Sequence, residues 1–183
     1  NPNYLFLDLD VRKAGDWNIT LSKGRKKHTF AYHIDNRREG SAERESFSAK
    51  DVVYLIMPDR FANGDESNDS VAECAEGCNR SEPFGRHGGD IQGIIDHLDY
   101  LGVTAIWNTP PTLDNEGFAS YHGYSTSDYY QIDPRFGSNE LYKEFVAEAH
   151  KRGIKVIFDV VTNHCGTAHW WAGDCPSRDW VHN

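Results

Sequence analysis

Methionine is nearly absent: Met57 is the only one in 183 residues. Asn1 is therefore read as an internal position of a longer chain, and the lack of a targeting signal carries no weight. No apolar run approaches the roughly 20 residues that cross a bilayer, which argues against a membrane span. Basic residues are outnumbered, 19 against 28 acidic ones, for a formal charge of -9. Polyanions would be repelled, so nucleic acid and anionic membranes are poor partners and a neutral ligand suits the surface better. The short run Arg25-Lys26-Lys27 is read as the end of a hairpin. A glycine-rich turn is also missing after the first apolar strand, where Pro58-Asp59-Arg60-Phe61 offers no close backbone approach to a pyrophosphate; this argues against a dinucleotide fold. Four cysteines, at 74, 78, 165 and 175, leave a local disulfide at 74 and 78 or free loop thiols open. A zinc site would need His164 or His169 to join cysteines from distant segments.

Alternation is present early. Leu5, Leu7, Leu9 and Val11, then Trp17, Ile19 and Leu21, then Phe30, Tyr32 and Ile34 predict three antiparallel strands, too few to stand alone and so part of a larger β-sandwich. Residues 36–50 are charged and small and read as a linker. The pattern then changes to strand and helix in alternation. Residues 52–57 form a continuous apolar run of the kind buried on both faces of a parallel sheet. Ile91, Ile94, Ile95, Leu98 and Leu101 recur at helical spacing until Gly102, and residues 103–107 give a second strand. Ser138 caps a helix whose stripe is Leu141, Tyr142, Phe145, Val146 and Ala149, closed by Gly153. Residues 155–161 form the third strand. Three strands with intervening helices open a TIM barrel or a doubly wound sheet, and in either one ligands collect beyond the carboxyl ends of the strands.

The loop Asn63-Gly64-Asp65-Glu66-Ser67-Asn68-Asp69, with Gly88-Gly89-Asp90, concentrates hard oxygen donors and suits Ca²⁺, or is an ordinary polar turn. Tyr121-His122-Gly123-Tyr124 and Asp159-Val160-Val161-Thr162-Asn163-His164 combine aromatic faces with directional hydrogen bonding, as a carbohydrate site requires. Taken singly, Tyr124 could be core, His164 a loop cap and Asp159 a structural carboxylate.

In their joint order, residues 53–65, 88–93, 121–124 and 159–164 resemble the α-amylase superfamily, glycoside hydrolase family 13, over residues 51–183. The first stretch is most similar to the cyclomaltodextrinase and neopullulanase branch, and residues 1–47 resemble part of its N-terminal β-sandwich. The resemblance implies an α/β fold in which the first three βα units of a TIM (β/α)8 barrel (48–164) follow that partial sandwich (1–47), with an excursion after strand three beginning at 165–183. The first helix runs straight into Gly102-Val103 and is shorter than in relatives. Tyr124 matches the tyrosine that stacks on the sugar at the cleaved subsite and His164 the histidine that bonds the same ring; His122 lies beside them and Asp159 supports them. Asn163 matches a ligand of one calcium, and Asn63, Asp65, Asn68, Asp69, the Gly88 carbonyl and Asp90 match another.

The implied partner is an α-glucan oligosaccharide, with homodimerisation through the N-terminal domain and a bacterial periplasm or cytoplasm as compartment. The implied reaction is retaining hydrolysis, which needs two opposed carboxylates roughly 5 Å apart. In the family these follow later strands. A whole barrel takes about 250 residues, so this chain alone is expected to be inactive; a non-catalytic glucan-binding module or a remnant without ligand are the alternatives. Trp170, Trp171 and Trp180 either reach toward a glucan or pack on the barrel.

Overall fold

Alternating apolar residues fold into a hairpin in the computed structural model, which describes residues 1–181. Strands β1 (Gly15–Lys23) and β2 (Lys26–Ile34) pair antiparallel. Their register places Trp17 opposite Tyr32 and Ile19 opposite Phe30 on one face, while Asp16 faces His33 and Thr20 faces Thr29 on the other, as period-two alternation requires. The third predicted strand is not formed: residues 5–11 have no ladder, and Leu5 is 71 % exposed. Alternation marks a residue pattern, but a strand also needs a neighbour whose backbone pairs with it in register, and no such ladder forms over that segment. The hairpin belongs to a compact unit, Pro2–Ser46, and a second unit begins at Phe47.

In the second unit β3 (Val53–Ile56), β4 (Ala105–Asn108) and β7 (Lys155–Phe158) form a parallel sheet in that order, with Val53, Ala105 and Lys155 in register. The crossovers carry α1 (Pro58–Phe61), α2 (Ile91–Asp96) and α3 (Asn139–Lys151). Between β4 and α3 a small hairpin, β5 (Thr112–Leu113) with β6 (Asp128–Ile132), interrupts what the sequence reads as a plain loop. Ser138 caps α3 by accepting from the Leu141 N–H, as predicted. Ile91, Ile94 and Leu98 from the α2 segment and Phe145 and Ala149 from α3 pack with Ile56 and Ile106 of the sheet in one core.

Two further expectations differ from the structure. The apolar run predicts burial of the first strand on both faces, yet Val53, Tyr54 and Leu55 are 43 %, 40 % and 51 % exposed. β3 is an edge strand, and Val53 and Leu55 alternate away from buried Ile56, onto the face opposite the helices. The helix read as reaching Leu101 ends at Asp96: beyond it His97, Leu98 and Tyr100 donate to carbonyls three residues back, which tightens the chain into successive turns. Leu98 stays buried regardless. Among the described residues no helix is long and apolar enough to cross a membrane.

Candidate functional site

Parallel strands deliver their following loops to one end of the sheet, so the segments after Met57, Asn108 and Phe158 gather there. In the second of these loops Gly123 adopts φ 78°, and a Cβ on it would lie 2.0 Å from the Pro110 carbonyl oxygen. Only glycine fits this close approach, which turns Tyr124 toward the end of β7. The Tyr124 hydroxyl donates to Asp159 Oδ2 at 3.2 Å, and Trp107 Nε1 donates to the same oxygen at 3.0 Å. Burial, then the Asp159 charge, raises the Tyr124 pKa above the ordinary phenol value. His164 Nε2 lies 2.9 Å from the Tyr124 carbonyl and its Nδ1 3.1 Å from the Asn163 amide nitrogen. An amide nitrogen donates and a carbonyl accepts, so the His164 proton sits on Nε2.

His122 completes the group, its ring 5.8 Å from that of Tyr124. Its Nδ1 accepts the Tyr124 N–H at 2.9 Å, which leaves the proton on Nε2 as a free donor. Burial lowers the His122 pKa and favours this neutral form. Tyr124, His122, Asp159 and His164 are thus brought together. Both nitrogens of His164 are engaged within the protein, so it positions the Tyr124 backbone, and it can reach a ligand only by exchanging one of those bonds.

Beneath these loops lies a charge network that sequence reasoning missed. Asp59, Glu76, Arg86, Asp114, Asp133 and Arg135 are all at most 9 % exposed. Arg135 bonds both oxygens of Asp133, at 2.9 and 2.7 Å, and the carbonyls of Glu76 and Asp114. Arg86 reaches Asp133 at 3.5 Å, Asp59 at 3.8 Å and the Ser120 carbonyl at 3.2 Å. Asp59 also accepts the His87 N–H. Burial pushes the Asp114 carboxyl up to about 6, against the backbone donors of Ser125 and Glu116; it stands 3.7 Å from His122 Nδ1. The Glu76 carboxylate accepts the N–H groups of Ala119 and Ser120, at 3.2 and 2.7 Å. Among the described residues Ala119 is the sole non-glycine residue with positive φ, 58°, a conformation that costs about 1–2 kcal/mol. Opposite charges scattered through loops have no spacing rule, and only the local density of Asp, Glu and Arg hints at such a network.

The oxygen-rich loop divides into supports and open acceptors. Asp90 is buried, and its carboxylate takes four donors: the Gly64 and Gly93 N–H groups on Oδ1, and the Asp65 N–H and Asn68 amide on Oδ2. Those four fill its acceptor capacity, so Asp90 knits the loop to the start of α2. Asp65 Oδ1 is held by the N–H and hydroxyl of Ser67, which lower the Asp65 pKa. Asn63 Oδ1 and Asn68 Oδ1, by contrast, are buried with no partner. Asp69 lies beside them, its Oδ1 accepting from Asn63 at 2.7 Å and standing 2.2 Å from where a Cβ on Gly88 (φ 85°) would be. Orphaned amide oxygens beside a carboxylate are the donor set a hard cation takes. Asn163, on the segment after β7, gives its amide to His164. The four cysteines are free thiols.

Residues 55–182 match the family model "Alpha amylase, catalytic domain". The chain belongs to the α-amylase family. Two relatives are a cyclomaltodextrinase of Thermoanaerobacter pseudethanolicus, 49 % identical over 120 residues, and neopullulanase 2 of Thermoactinomyces vulgaris, 42 % identical over 147 residues. These matches cover 63 % and 77 % of this chain but 20 % and 24 % of the relatives' lengths. The crystal structure of an Anoxybacillus α-amylase superposes with a TM-score of 0.65 at 45 % identity, over 73 % of this chain and 28 % of that one. The resemblance to the cyclomaltodextrinase and neopullulanase branch therefore holds, and the mixed α/β sheets agree with an α-amylase catalytic domain.

Proposed function

We propose that the chain is the first part of the catalytic barrel of an α-glucan-cleaving glycoside hydrolase, with β3, β4 and β7 as the first three strands of a (β/α)8 barrel and the N-terminal hairpin as part of a β-sandwich that also serves self-association. The observation that carries the reading is the convergence of Tyr124, His122, His164 and Asp159 at the carboxyl end of the parallel strands. An aromatic face beside ring donors and a carboxylate holds a pyranose through its apolar CH face and its hydroxyls. The names of the relatives point to cyclodextrins and pullulan, and we extend the reading to maltooligosaccharides, and so to α-1,4 and α-1,6 bonds.

Retention needs a nucleophile and an acid facing each other across the bond. Asp159 is committed to Tyr124 and Trp107, and Asp114 is sealed beneath the loop, so the 183-residue chain binds without cleaving. Incubated with maltoheptaose and β-cyclodextrin, this chain is expected to release no reducing ends above a catalytically dead control, while the intact protein containing it does. Turnover by the short chain that His164→Ala abolishes would overturn the fragment reading, and an intact protein that binds glucan without turnover would establish the non-catalytic module.

Calcium forms part of the same proposal. Asn63, Asn68 and Asp69 would hold the ion, with Asp65 and the Gly88 carbonyl completing its oxygen shell and Asp90 fixing the loop behind them; a second ion would use Asn163. Bound there, calcium would tie the loop after β3 together by charge. A ligand that binds only the folded state raises the melting temperature. Millimolar calcium is expected to shift the melt upward relative to chelator, and Asn68→Ala with Asp69→Ala to erase the shift. Superimposable melts in calcium and chelator would leave a polar loop only.

A further inference from the structure

Phe84 and Phe118 stand out from the loops after β3 and β4, 57 % and 64 % exposed, with ring centroids 6.4 Å apart and planes tilted by 55°. Neither loop is loosely held. The Pro83 and Gly85 carbonyls on either side of Phe84 accept from Arg60 Nη2 at 3.1 and 2.8 Å, and Arg86 beyond them is buried. Phe118 precedes Ala119, whose left-handed backbone is clamped by the buried Glu76 carboxylate. Strained backbone persists where the surrounding structure over-determines it and clusters at functional sites; here it holds an apolar ring in water. Arg60 also lies over the Tyr121 ring, 4.0 Å from its centroid. Tyr121 neighbours His122 at 5.5 Å, and His122 neighbours Tyr124 at 5.8 Å. The paired phenylalanines are thus linked, through Arg60, to a file of rings that ends at the candidate sugar site.

We infer that Phe84 and Phe118 form an outer platform for the glucan chain, on which the apolar face of glucose units remote from Tyr124 rests. The inference builds on the glucan reading of the Tyr124 site and adds to it a place where chain length is sensed. Two tilted rings present a shallow apolar surface, which matches the CH face of a neutral polysaccharide, with the Glu82 carboxylate 3.4 Å from the Phe84 N–H beside it, and the ring file gives the bound chain a continuous path. Contacts to remote units add uniform binding, which lowers KM without changing kcat.

The test uses the intact enzyme with Phe84→Ala and Phe118→Ala, singly and together. The double variant is expected to raise KM for maltoheptaose and for soluble pullulan about tenfold, the size of a lost aromatic contact, and to leave kcat and all constants for maltotriose within twofold. Rescue by Phe84→Trp and Phe118→Trp would mark stacking as the cause. An unchanged ratio of long to short substrate overturns the inference, as does a loss equal for both lengths. A lowered melting temperature with that ratio unchanged also overturns it, because the rings then pack under another part of the protein. No cleavage of any α-glucan by the unmodified enzyme instead sinks the reading of the Tyr124 site itself.

Discussion

Arg135→Met is expected to destabilise the intact protein by about 3–5 kcal/mol, the penalty for removing one partner from a buried ion pair. Arg135 is 1 % exposed and Asp133 fully buried. Removing the guanidinium strips Asp133 of its two short bonds and orphans the Glu76 and Asp114 carbonyls. Arg86 remains 3.5 Å from Asp133, too far to replace a bidentate partner. The midpoint of urea unfolding is the readout. Adding Asp133→Asn removes the stranded charge, so the double variant is expected to lose less than the sum of the two single losses, as coupled neighbours do. A single-variant loss below about 1 kcal/mol, the range of exposed pairs, would show that the network is solvated and holds nothing.

That network also explains how far the sequence could be read. Ser138, the stripe from Leu141 to Ala149 and Gly153 announce α3 because capping, periodicity and termination are local properties. Residues 52–57 announce a strand for the same reason, but not its exposure, since burial depends on what covers the sheet. The segment 5–11 failed because pairing is not local. Within the site, Tyr124, His122, Asp159 and His164 were legible through motif order, and the structure joins them by hydrogen bonds across 35 and 40 residues of chain. The two tautomers, the engagement of both His164 nitrogens and the saturation of Asp90 could be seen only once donors and acceptors were placed. The small hairpin β5–β6 was hidden because β5 has only two residues and the register shifts between them. The predicted excursion at 165–183 includes residues 182 and 183, which lie outside the described residues. Its start is pinned by the Glu116 carboxylate, which accepts the N–H and hydroxyl of Thr167.

Tyr124→Ala in the intact enzyme is expected to lower kcat/KM for maltooligosaccharides by a factor on the order of 10² to 10³, that is about 3–4 kcal/mol of transition-state stabilisation. The ring supplies the apolar surface on which the reacting sugar would rest, and its hydroxyl supplies one of the two donors to Asp159. Tyr124→Phe keeps the ring and loses only the hydroxyl. It should retain most of the activity, because Trp107 still orients the carboxylate. His164→Ala acts differently: the bond to the Tyr124 carbonyl disappears while the ring of Tyr124 remains. If His164 serves mainly by positioning, combining it with Tyr124→Ala should cost little more than Tyr124→Ala alone, since the group it positions is already gone. If it bonds the sugar through an exchanged Nε2–H, the two losses should approach a sum. Melting temperatures of all variants must stay near the parent for the comparison to stand, which the exposure of Tyr124 and His164 favours. Activity within twofold of the parent for Tyr124→Ala and His164→Ala alike would remove both residues from the site and, with them, the observation on which the proposed function rests.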